Sequence, residues 1–299
     1  MESNRISFVA NLLTIGNAAC GFAAIATVCR MAPAGPEGGL GAEGLAALSA
    51  AGWLVLLGMV FDVFDGRVAR MAGGPSALGA QLDSLSDLVT FGVAPALVIL
   101  RAGGAALPSV VWWQRAVWLF SLAYALGALM RLARFTAEDA GSESEHTAFR
   151  GLPTPAAAGC VVSLVIFHHY AFGVKAENLR FLSEPALAAV RQWASHSPFA
   201  LPLLGLVLGF AMVSSRIAYA HVGSWLLGRR HSFDTLVYVI FAGLILWTAP
   251  EAVLPVLFLG YLVYAPVRDA VGYVRSAWRA RERSISARPR KGADSWAEP

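Results

Sequence analysis

The sequence predicts an all-α, polytopic integral membrane protein, and three observations carry that prediction. Charged residues are only 14% of the 299, where a soluble globular chain carries about 25%. The chain is 57% hydrophobic with a mean hydropathy of +0.59. Apolar runs of about 20 residues, the length that crosses a hydrocarbon core, recur along it. Gly- and Pro-containing connectors separate most of them, the clearest being Pro33-Ala34-Gly35-Pro36.

Eight spans are expected, at about 8–30, 45–65, 80–101, 112–134, 154–174, 199–219, 233–249 and 251–272. The first run is expected to be a retained span rather than a cleaved leader, because it is too long and lacks a basic start. If the N-terminus is cytoplasmic, 17 of the 23 lysines and arginines fall on the cytoplasmic side, which favours both termini inside. The pI near 9.2 does not indicate a nucleic-acid partner, since the basic residues are scattered through short loops and a terminal tail. Residues 1–274 are expected to form one transmembrane catalytic domain, and 275–299 a basic, disordered cytoplasmic tail resting on anionic headgroups. The connector 175–198 has the composition of a short interfacial helix. Cys20, Cys29 and Cys160 lie in or beside apolar spans and read as small hydrophobes rather than a disulfide framework.

Residues 61–96 stand apart. Asp62, Asp65, Asp83 and Asp87 lie between segments otherwise fit for lipid, where four uncompensated carboxylates would cost about 10 kcal/mol. Asp62 and Asp65 are three apart on one helix, and Asp83 and Asp87 four apart on the next, so each pair shares a face. An antiparallel hairpin would bring the pairs together at its cytoplasmic end. Oxygen donors on rigid helices suit Mg²⁺ or Mn²⁺, and the stretch contains no Cys or His to favour zinc. Gly66, Ala69 and Gly79 allow close approach of a ligand, while Arg67 and Arg70 supply forks for phosphate. Taken alone, intramembrane acids also fit a cation or proton transporter. His168 and His169 fall at the opposite end of their span and are expected to be interfacial.

The full spacing, Asp62-x2-Asp65-Gly66-x2-Ala69-Arg70-x8-Gly79-x3-Asp83-x3-Asp87, resembles the signature of the CDP-alcohol phosphotransferase family without gap or substitution. Three further stretches resemble its serine-accepting branch, the CDP-diacylglycerol–serine O-phosphatidyltransferases. These are Asn11-Leu-Leu-Thr14-Ile-Gly-Asn17 with Cys20-Gly21-Phe22; Asp83-Ser-Leu-Ser-Asp87-Leu-Val-Thr-Phe91-Gly-Val-Ala-Pro95; and Arg131-Leu-Ala-Arg134-Phe135 followed by Phe149-Arg-Gly151-Leu-Pro153-Thr-Pro155. Met212-Val-Ser214 is a fainter echo. The resemblance covers roughly residues 5–220.

The resemblance implies two divalent cations, Mg²⁺ or Mn²⁺, held by Asp62, Asp65, Asp83 and Asp87, with Asp87 also accepting the proton of the attacking hydroxyl. It implies that Gly66, Arg70 and Ser76 contact the CDP moiety, that Ala69 and Gly79 permit its approach, and that Asn11 and Thr14 add nucleotide contacts. The implied substrates are CDP-diacylglycerol and L-serine, in a bacterial inner membrane and as a homodimer. Glycerol 3-phosphate, an inositol compound or choline remain as other acceptors. Serine's carboxylate needs a cation, and Arg131, Arg134 and Arg150 are the candidates on bidentate geometry.

Overall fold

The computed structural model describes residues 2–35, 38–71, 76–139, 151–172, 183–214, 219, 243 and 247–286. Helices α1 (Glu2–Cys29) and α2 (Ala42–Met71) are followed by α3 (Ala77–Asp87), which passes through a π-helical stretch, Leu88–Val93, into α4 (Ala94–Ala106). Then come α5 (Val111–Asp139), α6 (Thr154–Phe172), α7 (Glu184–Ser195), α8 (Ser197–Val213) and α9 (Pro250–Ser286). The described residues contain no strand. Among the described residues, six helical stretches are long and apolar enough to cross a membrane, or seven if α7 and α8, bent by 53°, count as one span. The expected span at 233–249 lies almost wholly outside the described residues.

Outside the main spans, the helix expected in the connector is found and the expectation for the tail changes. The connector at 175–198 does contain a helix, α7, whose Trp193 packs edge-on against Phe167 of α6 at 5.5 Å between ring centroids. The tail, by contrast, is not disordered from residue 275: α9 continues to Ser286. The reason is compositional. Residues 275–286 have no Gly or Pro and are rich in Arg and Ala, good helix formers that propagate the preceding span.

α6 is the central helix, buried nearly all round, with Ala157, Cys160, Val161, Val162 and Ile166 each fully covered. A helix apolar on every face belongs inside a bundle. Around it the helices approach through small residues. A Cβ on Gly127 of α5 would stand 2.6 Å from the Gly209 carbonyl oxygen of α8, and one on Gly209 2.7 Å from that of Ala123. Gly127→Val is therefore expected to force α5 and α8 apart. Overpacking of this kind costs about 1–3 kcal/mol, read as a lowered unfolding temperature in detergent.

The opposite ends of the bundle are chemically different. The start of α1, the end of α2, the start of α3 and the end of α5 meet at one end, where Ser84 of α3 and Thr136 of α5 are hydrogen-bonded at 3.2 Å. The ends of α4 and α6 and the α7–α8 elbow meet at the other. All four aspartates lie at the first end.

Candidate active site

The hairpin of α2 and α3 holds the acids because each helix is built to present them at its junction end. Asp62 and Asp65 occupy the last turns of α2. Ser76 caps α3, its hydroxyl accepting the Gly79 N–H at 3.0 Å, and so fixes where Asp83 and Asp87 fall. Ligand oxygens of Asp62, Asp83 and Asp87 lie within 4.8 Å of one another. Asp65 stands beside this trio rather than in it, only 4% exposed, with the Thr14 hydroxyl against its carboxylate.

Among the described residues, none of the four aspartates forms an ion pair with lysine or arginine. Asp65 Oδ2 and Asp83 Oδ1 are buried without a hydrogen-bond partner. Buried carboxylate oxygens demand compensation, and an all-oxygen donor set with orphaned atoms fits a hard divalent cation.

α1 supplies the back wall. Asn11, Thr14 and Asn17 recur every three residues, forming one polar stripe on the otherwise apolar stretch 8–26 of α1. Asn17, fully buried, donates from Nδ2 to Asp87 Oδ1 at 3.0 Å, while its own Oδ1 has no partner. Two bonds clamp the stripe to the acid-bearing helix: Ser86 Oγ to the Thr14 carbonyl at 3.0 Å, and Thr90 Oγ1 to the Asn17 carbonyl at 2.9 Å. The clamp requires backbones in close contact, and Gly21 of α1 lies against the Thr90 backbone with no room for a Cβ.

The expected nucleotide contacts gather in part. Ser76, Gly79 and Asn11 form one corner: a Cβ on Gly79 would stand 3.0 Å from Ser76 Oγ and 3.1 Å from Asn11 Oδ1. Arg70 folds back along α2, its guanidinium 3.7 Å from the position of a Cβ on Gly66. Ala69 is half-buried on the same helix. Gly79→Val is expected to close the corner and raise KM for the nucleotide lipid more than it lowers kcat, as steady-state kinetics would separate.

The arginines diverge. Arg131 donates to the Met212 carbonyl at 3.5 Å, at the carbonyl end of α8, a favourable place for a cation. Gly151 meets the same spot at φ +90°, a conformation open to glycine, and Leu152 N–H bonds to the Ala211 carbonyl at 3.1 Å. The Gly151-Leu-Pro153-Thr-Pro155 stretch thus docks on α8 and then starts α6. Arg134 is exposed, and Arg150 lies outside the described residues.

Asn17, Ser86 and Thr90 received no role from sequence reasoning. The available signal was polarity alone: Asn17 and Thr90 are polar side chains within apolar runs, Ser86 stands among polar neighbours, and the partners lie 70 to 73 positions away.

Residues 7–195 match the profile of the CDP-alcohol phosphatidyltransferase family. Curated relatives named CDP-diacylglycerol–serine O-phosphatidyltransferase occur in several organisms. That of Saccharomyces cerevisiae is 37% identical over 139 residues, 42% of this chain and 47% of the relative. That of Mycobacterium leprae is 39% identical over 115 residues, 38% of this chain and 36% of the relative. The Bacillus subtilis protein is 31% identical over 159 residues, 53% of this chain and 76% of the relative. The matched stretch therefore spans less than half of the first two relatives and about three quarters of the third.

Proposed function

The chain belongs to the CDP-alcohol phosphatidyltransferase family, and from that premise we propose that it transfers the phosphatidyl group of CDP-diacylglycerol to the hydroxyl of L-serine, releasing CMP. The observation that carries this reading is the carboxylate trio of Asp62, Asp83 and Asp87 within 4.8 Å, with buried Asp65 beside it. Relatives that carry the serine transferase name direct it to serine.

In this reading Asp62, Asp65, Asp83 and Asp87 hold divalent cations, Mg²⁺ or Mn²⁺. When bound, the cations neutralise the diphosphate and the charge that develops on departing CMP. The chain's own residues do the rest. Asn11, Ser76 and Gly79 form the corner for the cytidine nucleotide, and Arg70 clamps phosphate from the α2 side. The serine hydroxyl attacks the phosphorus bearing diacylglycerol, the bond from that phosphorus to the CMP oxygen breaks, and Asp87 takes the hydroxyl proton. Asn17 occupies Asp87 Oδ1, leaving Oδ2 as the oxygen for that proton.

Serine's carboxylate is assigned to Arg131, Arg134 and Arg150. Arg131 is partly committed to α8, so Arg134 and Arg150 carry most of this assignment. Replacing both by lysine is expected to raise serine KM about tenfold, the scale of one lost charged bond, while KM for CDP-diacylglycerol holds. An unchanged serine KM would remove them from the site.

The lysine and arginine distribution favours the acid end, with both termini, on the cytoplasmic side of a bacterial inner membrane. Family resemblance favours a homodimer.

CMP release by the purified protein tests the whole reading. Mn²⁺ or Mg²⁺ is supplied with L-serine, glycerol 3-phosphate, inositol, inositol phosphate or choline in separate reactions. Serine-dependent release that stops with EDTA and returns with metal is the expected result. Release with another acceptor alone would keep the metal chemistry and overturn the serine assignment.

A further inference from the structure

A cavity of about 430 Å³ lies at the end of the bundle remote from the acids. Its walls come from the starts of α2, the ends of α4 and α6 and the α7–α8 elbow. Leu48 of α2 and Ala102 of α4 line it, 14 and 15 residues from Asp62 and Asp87 along their helices. At 1.5 Å per residue that is roughly 20 Å, beyond the reach of any group at the acid end. The volume falls among those of ligand sites, about 300–1,000 Å³.

The lining is chemically one-sided. Among the described residues, aliphatic and aromatic ones make up most of it, no Lys, Arg, Asp or Glu contributes, and the polar side chains are His168, Ser195 and Ser197. These three cluster at the junction of α6 with the elbow. His168 Nδ1 lies 2.8 Å from the Ala194 carbonyl oxygen and 2.8 Å from Ser197 Oγ. A carbonyl only accepts, so Nδ1 carries the hydrogen and the neutral ring presents Nε2 as an acceptor. With Nδ1 a donor, Ser197 cannot donate to it, and the Ser197 hydroxyl hydrogen is left for another partner. The polar end of the cavity thus has the His168 ring nitrogen as an acceptor and the Ser197 hydroxyl as a donor, while the Ser195 hydroxyl gives its hydrogen to the Gln192 carbonyl. The uncharged lining among the described residues disfavours phosphate and carboxylate heads, which would be desolvated against it without a counter-charge.

We propose that this cavity is a binding site for a neutral single-chain lipid with a hydroxyl head, its alkyl chain against Leu48 and Ala102 and its hydroxyl between His168 and Ser197. A hydroxyl both donates and accepts, which matches the two vacant functions, and a single chain matches the bare apolar wall. The site is separate from the transfer site and does not depend on it.

The test uses the full chain in phosphatidylcholine nanodiscs and hexadecan-1-ol bearing a mid-chain diazirine, with cross-linked peptides mapped by mass spectrometry. Label is expected on the peptides holding residues 102–106 and 164–172, competed by hexadecan-1-ol but not by hexadecane or palmitate. Filling the cavity with Ala102→Trp, or with Ala105→Phe should the first variant fail to fold, is expected to remove that label. Ser197→Ala is expected to weaken hexadecan-1-ol competition about fivefold, the scale of one hydrogen bond. Asp87→Asn and saturating CDP-diacylglycerol should leave the label in place, which separates failure here from failure of the transferase reading. Equal competition by hexadecane would overturn head recognition, and equal competition by palmitate would overturn the neutral head. Label unchanged by both filling variants would overturn the site.

Discussion

Asp87→Asn is expected to lower kcat by about 10³-fold or more, with the protein folded and inserted as before. The magnitude follows from the two duties placed on one side chain. General-base catalysis alone contributes about 10²–10⁴-fold, and the amide also loses a negative charge from a trio held within 4.8 Å. Asparagine matches aspartate in shape and keeps a carbonyl oxygen able to accept from Asn17 Nδ2. Relieving charge repulsion between buried acids should leave the variant at least as heat-stable as the parent in metal-free buffer. Turnover and thermal unfolding measured side by side check the pair of outcomes. A variant retaining a tenth of the parent's turnover would remove Asp87 from the role of base.

Asn17→Leu is the second large effect, about 10–100-fold in kcat, the range typical of residues that orient a metal ligand. Leucine shares the branching of asparagine, though it is bulkier, and cannot donate to Asp87 Oδ1, which then loses its only protein hydrogen bond among the described residues. The carboxylate is left free to rotate about its side-chain bonds. A purely structural loss would lower the unfolding temperature and leave the activity of the surviving folded protein intact. A positioning loss lowers kcat at unchanged KM for CDP-diacylglycerol, and Asn17→Asp should not restore it, because a carboxylate repels its neighbour. Kinetics on protein monodisperse by size exclusion separate the two.

What could be read in the sequence follows the range of the interactions involved. Pairing of Asp62 with Asp65 and of Asp83 with Asp87 is set by spacing on a single helix, and the short connector between α2 and α3 makes their meeting almost a local event. The all-α membrane fold is equally local, resting on composition and run length. Asn17 was visible as a polar residue in an apolar run, but its partner lies 70 positions on, so no periodicity could point to it. Arg131 had a sensible reading as an anion clamp, and only the packing of α5 on α8 shows the Met212 carbonyl it also serves. Similarly, the continuation of α9 to Ser286 depends on a span lending its helix to a polar extension, which charge content alone argues against.

The π-helical stretch immediately after Asp87 sets an angular phase. Ala94 N–H reaches back five residues to the Val89 carbonyl, and the fully buried Tyr124 caps the Phe91 carbonyl through its hydroxyl at 2.9 Å. A wider turn accommodates one residue more than an α-helix would, and each residue of an α-helix is worth about 100° of rotation. The half bearing Asp83 and Asp87 is thereby clocked against the lipid-embedded half, α4, independently of how α4 seats on α8. Removing one residue between Leu88 and Val93 would let the wide turn close to an α-helical one while both flanking segments keep their phase, so Asp83 and Asp87 would still face Asp62 and Asn17. One residue removed from the α-helical part of α4 has no such slack and would rotate the carboxylates by about 100° against it, so the wide turn is where this helix best absorbs a change of length.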